Sequence, residues 1–258
     1  MDDRNPAGNP FVQAFASDSP AYREAFQAFL DHTDQKTNAF AWLSAEIARL
    51  PRRHTLIDAG AGNGQLTARL APQFEKVIAI EPNPSLVQEL RVACPSAEII
   101  ERTITQGFPS SQADFIICSH ILYYIPRAEW LINTQRLTGW LHPGGVLAIA
   151  IQNPQTDCMQ MVRHFIGGEL DGLAQLQAEF SSQSTPDFEA RFETVTAHIE
   201  TTDLETACRI AEFILNVQPM QHPPRWEDLK NYVADQFRQP TGGYRFSCHQ
   251  DFLRIVRR

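Results

Sequence analysis

The chain has 258 residues, of which 43% are hydrophobic and 20% charged, and a net charge of -8 at neutral pH. That length and apolar content can fill the core of one large domain and argue against wholesale disorder. The acidic balance argues against a groove that tracks nucleic-acid phosphates, because such affinity is built from Lys and Arg.

Residues 1–19 are polar and small apart from Phe11 and Phe15. Pro20 suits the first turn of a helix, and Tyr22, Phe26, Phe29 and Leu30 share one face of it. After a polar break from His32 to Asn38, a second helix is expected through Phe40, Leu43, Ile47 and Leu50. Pro51 to His54 turns the chain into a short apolar strand, Thr55 to Ile57. Three glycines at alternate positions follow, Gly60, Gly62 and Gly64, and then an amphipathic helix carrying Leu66 and Leu70. A loop without Cβ atoms at those positions can bend sharply and let a ligand approach its backbone. The amides that open the helix can bind a polar or anionic group.

Val77 to Ile80 reads as a second strand ending at Glu81-Pro82, and Pro84-Ser85 opens a helix that stops before Pro95. Ala97 to Glu101 is a third strand, Thr105 to Gln112 a loop, and Phe115 to Cys118 a fourth, fully apolar strand. Arg127 to Leu141 is expected to be a helix, and His142-Pro143-Gly144-Gly145 a turn feeding a fifth strand, Val146 to Ile151. Strands alternating with helices at this spacing predict a parallel sheet covered on both faces. Beyond Pro154 the pattern loosens. Mixed-polarity helices span Gln155 to Phe180, a linker spans Ser181 to Pro186, and Phe192 to Ile199 reads as a sixth strand. Helices over Leu204 to Leu215 and Trp226 to Phe237 flank the Pro-rich Gln218 to Pro224. A last β segment starts at Gly242-Gly243 and ends with Phe252 to Val256.

The five cysteines, 94, 118, 158, 208 and 248, are scattered and contain no C-x-x-C pair. This fits a reduced compartment and no cysteine zinc site. No apolar run approaches the roughly 18 residues of a membrane span, and the start lacks a signal-type apolar core. A soluble, cytoplasmic monomer with no membrane or nucleic-acid partner is the expectation.

The acidic residue ending the second strand stands where a ribose hydroxyl pair is held in nucleoside-binding sheets of this kind. The glycine spacing differs from the G-x-G-x-x-G of dinucleotide folds, which disfavours a nicotinamide dehydrogenase. The run Asp58-x-Gly60-x-Gly62-x-Gly64, the strand ending in Glu81-Pro82 and the Pro-Gly-Gly before the fifth strand resemble the class I S-adenosylmethionine-dependent methyltransferases. The resemblance covers about residues 55–151. It implies an α/β fold: a Rossmann-like, seven-stranded, mostly parallel sheet with helices on both faces. It also implies S-adenosylmethionine as cofactor, with contacts from Asp58, Gly60, Gly62, Gly64, Glu81 and Pro82, and no metal. By the strand-end rule, Thr103 and Ser119 would border the adenine and methionine ends. A helical cap over residues 1–54 and a methyltransferase domain over 55–258, with a helical insertion at about 155–190, complete the expected organisation. The cap and the insertion flank the core and are expected to cover its site.

His120 follows the fourth strand, and an imidazole there can hydrogen-bond an acceptor or take its proton, so it is the candidate catalytic residue. Tyr123 and Tyr124 can wall a flat or cationic ligand. The pattern Tyr22-x-x-x-Phe26-x-x-Phe29-Leu30-x-His32 with Leu122-Tyr123-Tyr124 is similar to the histamine N-methyltransferase family. That likeness implies an acceptor pocket formed by Phe26, Gln35, Tyr123, Tyr124 and the neighbourhood of Cys248. The family's carboxylate for the substrate ammonium falls on the uncharged Gln35, and its amide after the fourth strand is His120. The expected function is methyl transfer to a small acceptor, foremost a nitrogen of an imidazole, another heterocycle or an amine. A phenol or carboxylate O-methyltransferase is the alternative, and a non-catalytic cofactor-binding protein a lesser one.

Overall fold

A computed structural model of the protein describes residues 10–15, 19–168, 172–183, 186–216 and 220–258. The first apolar run after His54 becomes β1 (Thr55–Ala59), buried along its whole length. It pairs in parallel with β2 (Lys76–Ile80) and β4 (Ala113–Ser119). β3 (Glu98–Ile100) extends the sheet beyond β2, and β5 (Leu141–Gln152) extends it beyond β4, both in parallel. β9 (Gln250–Arg257) lies antiparallel between β5 and β6 (Phe188–Val195). The sheet therefore has seven strands in the order 3-2-1-4-5-9-6. Only β9 runs against the rest. The order reverses between β1 and β4, which puts the switch-point crevice at the carboxyl ends of those strands.

Alternation along the strands supplies two apolar faces. Ile57, Ile78, Ile116, Ile149 and Leu253 face Trp130 and Leu137 of α5 (Trp130–Gly139) and Leu173, Leu176 and Phe180 of α7 (Leu173–Gln183). Leu56, Val77, Phe115, Ala148 and Phe252 face Leu43 and Ile47 of α2 (Gln35–Ala48) and Leu70 of α3 (Gln65–Leu70). The helix α4 (Pro84–Ala93) packs Leu90 on Ala61 and Ala79.

The chain forms two compact units. One lies within Ala39–Gln152, Asp171–Val195 and Gln250–Arg258 and contains the whole seven-stranded sheet. The other lies within Met1–Asn38, Asn153–Leu170 and Thr196–His249. It contains α1 (Pro20–His32), α6 (Asp157–Ile166), α8 (Leu204–Leu215), α9 (Trp226–Gln236) and a ribbon of β7 (His198–Thr201) and β8 (Tyr244–Ser247). Ser19, Thr156 and Asp203 cap α1, α6 and α8 by accepting from amides in their first turns, as such residues do at N-caps. Phe29, Met161, Ile199, Ile210, Phe213, Leu229 and Phe246 make the core of this unit.

Several expectations need correction. The polar break after α1 is only Thr33-Asp34, because Thr33 Oγ1 accepts the amide of Gln35 and starts α2 there. The single strand expected over Phe192 to Ile199 is two strands in different sheets. The chain leaves the large sheet at Val195, and Ala197 donates to His249 Nδ1 and accepts from the Cys248 amide. The last β segment is likewise divided, between β8 and β9. The helix expected from Arg127 is a 3-10 turn over Arg127–Glu129 followed by α5, and Leu141 already belongs to β5. Residues 1–9 and 16–18 of the polar start, Ser184 and Thr185 of the expected linker, 169–171 of the expected insertion and Gln218 and Pro219 of the Pro-rich segment lie outside the described residues. No described helix is long and apolar enough to cross a membrane.

Candidate functional site

The parallel register sets Ala59 beside Ile80, Ile80 beside Ile100, and Ser119 beside Ala150. The residues following β1, β2 and β4 therefore gather at one edge of the sheet. Gly60 and Ala61 both donate to the carbonyl of Ile80, at 2.9 and 3.0 Å, which fastens the glycine loop to the end of β2. Glu81, 5% exposed, accepts from the Gly62 amide through Oε2 at 2.9 Å and from the Asn83 amide through Oε1 at 2.8 Å. Each carboxylate oxygen keeps a second lone pair.

The three glycines differ in what they do. All have positive φ, but a Cβ at Gly60 would meet the Ile121 side chain, and one at Gly64 would lie 2.7 Å from Leu90 Cδ1. A Cβ at Gly62, where φ is +56°, would meet nothing within 4 Å. Gly60 and Gly64 are thus required by packing against the protein itself. Gly62 presents backbone to open space, beside the Glu81 carboxylate. This cradle suits a nucleoside carrying a polar amino-acid tail.

Asp58 lies beneath the loop, fully buried, and accepts from Thr67 Oγ1 of α3 at 2.6 Å. Burial pushes its carboxyl up to about 6; the Thr67 hydrogen bond opposes the rise and the charge of Glu81 adds to it. Pro82 and Thr103 are exposed at the same edge, with Thr103 Oγ1 2.7 Å from Thr105 Oγ1. Ser119 is half-buried at the tip of β4.

His120 is the one non-glycine among the described residues with positive φ, at +58°. Its amide donates to the carbonyl of Ala150 at 2.8 Å, tying the bend to β5. Its Nε2 lies 2.5 Å from Nε2 of Gln250, and its Nδ1 lies 3.4 Å from Tyr123 Oη. Tyr123 Oη accepts the amide of Gln152 at 2.5 Å. The Tyr123 ring is 40% exposed, yet its hydroxyl end is turned inward. Burial there raises the phenol well above its ordinary value, with the Gln152 amide opposing. Tyr124 is 83% exposed.

The remaining predicted acceptor residues belong to the other unit. Gln35, 4% exposed, donates through Nε2 to the carbonyl of Cys248 at 2.7 Å. Cys248 is buried, its sulfur 3.3 Å from Thr33 Oγ1. Phe26 stacks on Tyr22 and Phe29 and packs on Phe213. Gln35 and Cys248 therefore meet each other, while Phe26 sits in an aromatic cluster. Asp34, one residue before Gln35, accepts the amide of His198 at 2.7 Å.

Sequence reasoning missed Thr67, Asn83 and Gln250. Asn83 was legible as the N-cap before Pro84-Ser85. Thr67 and Gln250 acquire their partners only through folding, and no local pattern marks them.

A family model described as a methyltransferase domain matches residues 57–149. A trans-aconitate 2-methyltransferase of Rhodopseudomonas palustris is 30% identical over 125 residues, covering 48% of this chain and 48% of the relative. One from Enterobacter is 29% identical over 123 residues, covering 47% and 48%. The chain thus spans about half the length of the curated relatives it matches. Among solved structures, the YcgJ protein of Bacillus subtilis shares the fold with a TM-score of 0.58 at 15% identity, over 84% of this chain and 97% of that one. The N-methyltransferase NodS of Bradyrhizobium japonicum does so with a TM-score of 0.50 at 14% identity, over 94% and 99%. The matched segment holds the glycine loop, Glu81 and the β4 tip, and over that segment the chain is similar to methyltransferase domains.

Proposed function

We propose that the protein transfers the methyl group of S-adenosylmethionine to a small soluble acceptor. The observation that carries this reading is the junction of Glu81 and Gly62, a buried carboxylate tied to the one loop glycine that faces open space. When bound, S-adenosylmethionine supplies an electrophilic methyl group on a sulfonium. Glu81 accepts the ribose hydroxyls with its remaining lone pairs. The backbone from Gly60 to Gly64 receives the amino-acid end. Asp58 sets the loop from beneath, and Pro82, Thr103 and Ser119 border the cofactor along the strand ends. The ribose role of Glu81 is tested by calorimetry with the Glu81→Ala variant. It should bind S-adenosylmethionine more weakly by about 1–3 kcal/mol, the worth of charge-assisted hydrogen bonds. Affinity equal to the parent's would overturn the assignment.

We take the acceptor atom to be a carboxylate oxygen. The support is the pair of relatives named for trans-aconitate, a tricarboxylate. A second reading, an imidazole, other heterocycle or amine nitrogen, draws on the exposed rings of Tyr123 and Tyr124 beside His120, a surface for flat or cationic ligands. Methyl-labelled cofactor offered with trans-aconitate, an aminoalkyl imidazole or a phenol separates the readings. A product that releases its label in mild base is an ester. A stable product from the imidazole alone would replace the carboxylate reading. The net charge of -8 supports an acceptor other than nucleic acid, and the scattered free thiols support a cytoplasmic setting.

A further inference from the structure

We infer that Gln250 is a positioning residue that holds His120 as the neutral tautomer protonated on Nδ1, so that His120 has no lone pair with which to take the acceptor's proton. The inference about Gln250 rests on geometry, and its consequence for the acceptor rests on the methyl-transfer reading above. Gln250 opens β9, directly opposite Gln152 at the end of β5, and is 2% exposed. Its amide nitrogen faces the Nε2 of His120 at 2.5 Å. An amide NH₂ can only donate, so the imidazole Nε2 is the acceptor in that contact and carries no proton. The proton of the neutral ring then sits on Nδ1, the atom that faces Tyr123 Oη at 3.4 Å.

Tyr123 Oη is itself anchored by accepting the Gln152 amide, and a phenol oxygen has a further lone pair for the Nδ1 proton. Gln152 and Gln250 are cross-strand partners, so one rung of the sheet fixes both sides of the ring. The opposite orientation of the Gln250 amide would put Oε1 on the ring and demand a proton on Nε2. The orientation observed leaves Oε1 as a buried atom without a partner. Buried N–H groups without a partner are rarer in folded proteins than under-satisfied carbonyl oxygens.

Both ring nitrogens of His120 are therefore occupied: Nε2 accepts, and Nδ1 donates. The left-handed backbone at residue 120, tied to Ala150, holds the ring in that setting. A histidine bound in this way has no lone pair to offer as a general base. The acceptors that suit it carry a ready lone pair at neutral pH, such as a carboxylate oxygen or a neutral imidazole nitrogen. A phenol, which must lose its proton to attack, does not. Among the described residues, Tyr124 on the turn after β4 and Asp251 on β9 act on the Tyr123 hydroxyl that faces the ring; Asp251 also accepts from Thr194 Oγ1 of β6.

Nitrogen-15 NMR of histidine-labelled protein reads the tautomer directly, and the His120→Asn variant assigns the signal. The parent should show His120 neutral and protonated on Nδ1 at pH 7.5. Gln250→Leu should give a mixture of tautomers, and Gln250→Glu, whose carboxylate can only accept, should move the proton to Nε2. A parent ring protonated on Nε2, or a Gln250→Leu spectrum identical to the parent's, would overturn the proposal. Calorimetry with S-adenosylmethionine on the same samples keeps the two readings apart. Each Gln250 variant should bind the cofactor within twofold of the parent. A parent that fails to bind it overturns the methyl-transfer reading and leaves the tautomer result standing.

Discussion

Asp58 shows how a single residue can carry a motif and a cost together. Its carboxyl is buried beneath the glycine loop, with Thr67 as hydrogen-bond donor and the Glu81 charge nearby. The folded-state value of about 6 lies above the ordinary 3.8, so the native state binds the proton before the unfolded chain does. The contribution of Asp58 to stability is therefore least favourable above pH 6. It improves as pH falls from about 6 towards 3.8. Moving the carboxyl from 3.8 to about 6 corresponds to about 3 kcal/mol. Asp58→Asn keeps an acceptor for Thr67 and loses the charge. Its stability relative to the parent should rise between pH 4 and pH 7 by up to about 3 kcal/mol, measured by urea denaturation at each pH. A constant difference across that range would show that Asp58 is not desolvated in the native state.

At the scale of the element, the strand–loop–helix from β1 to α3 divides its glycines between packing and ligand approach. Gly60→Ala would drive a methyl into Ile121 at φ +101°. It should destabilise the fold by about 2–4 kcal/mol through overpacking and left-handed strain. Gly62→Ala meets no neighbouring atom and should cost only about 1 kcal/mol for its backbone. Its methyl instead occupies the space beside Glu81, so cofactor affinity should fall at least tenfold. Urea denaturation and calorimetry on both variants check this. A Gly62→Ala protein that binds as tightly as the parent would remove Gly62 from the site.

On the scale of the whole molecule, neither compact unit is continuous in sequence. The sheet is completed by the last nine residues of the chain. β9 lies between β5 and β6 and buries Phe252, Leu253 and Ile255 almost completely. Each such side chain contributes about 1.5–3 kcal/mol, against a typical total stability of 5–15 kcal/mol. Ending the chain at His249 would also remove the strand that β6 pairs with. The shortened protein should lose its cooperative thermal transition by circular dichroism. A cooperative melt near the parent's temperature would show that the five parallel strands fold without β9.

Much of the core was determined locally and was therefore legible. The apolar runs at β1, β2, β4 and β5, and the glycines between β1 and α3, carry their conformation in residues a few positions apart. Glu81 could be picked out because strand ends in a parallel sheet share one edge. The signals failed where partners come from far along the chain. Phe192 to Ile199 has the composition of one strand. It is divided because Ala197 finds its hydrogen-bond partners at Cys248 and His249, some fifty residues later. The wide break read after α1 closes to two residues because Thr33 starts the next helix at once. His120 was visible as a histidine after a strand, but its partner Gln250 lies 130 positions away. Local pattern can name a titratable ring. Which of its nitrogens holds the proton depends on the group that the folded sheet sets against it.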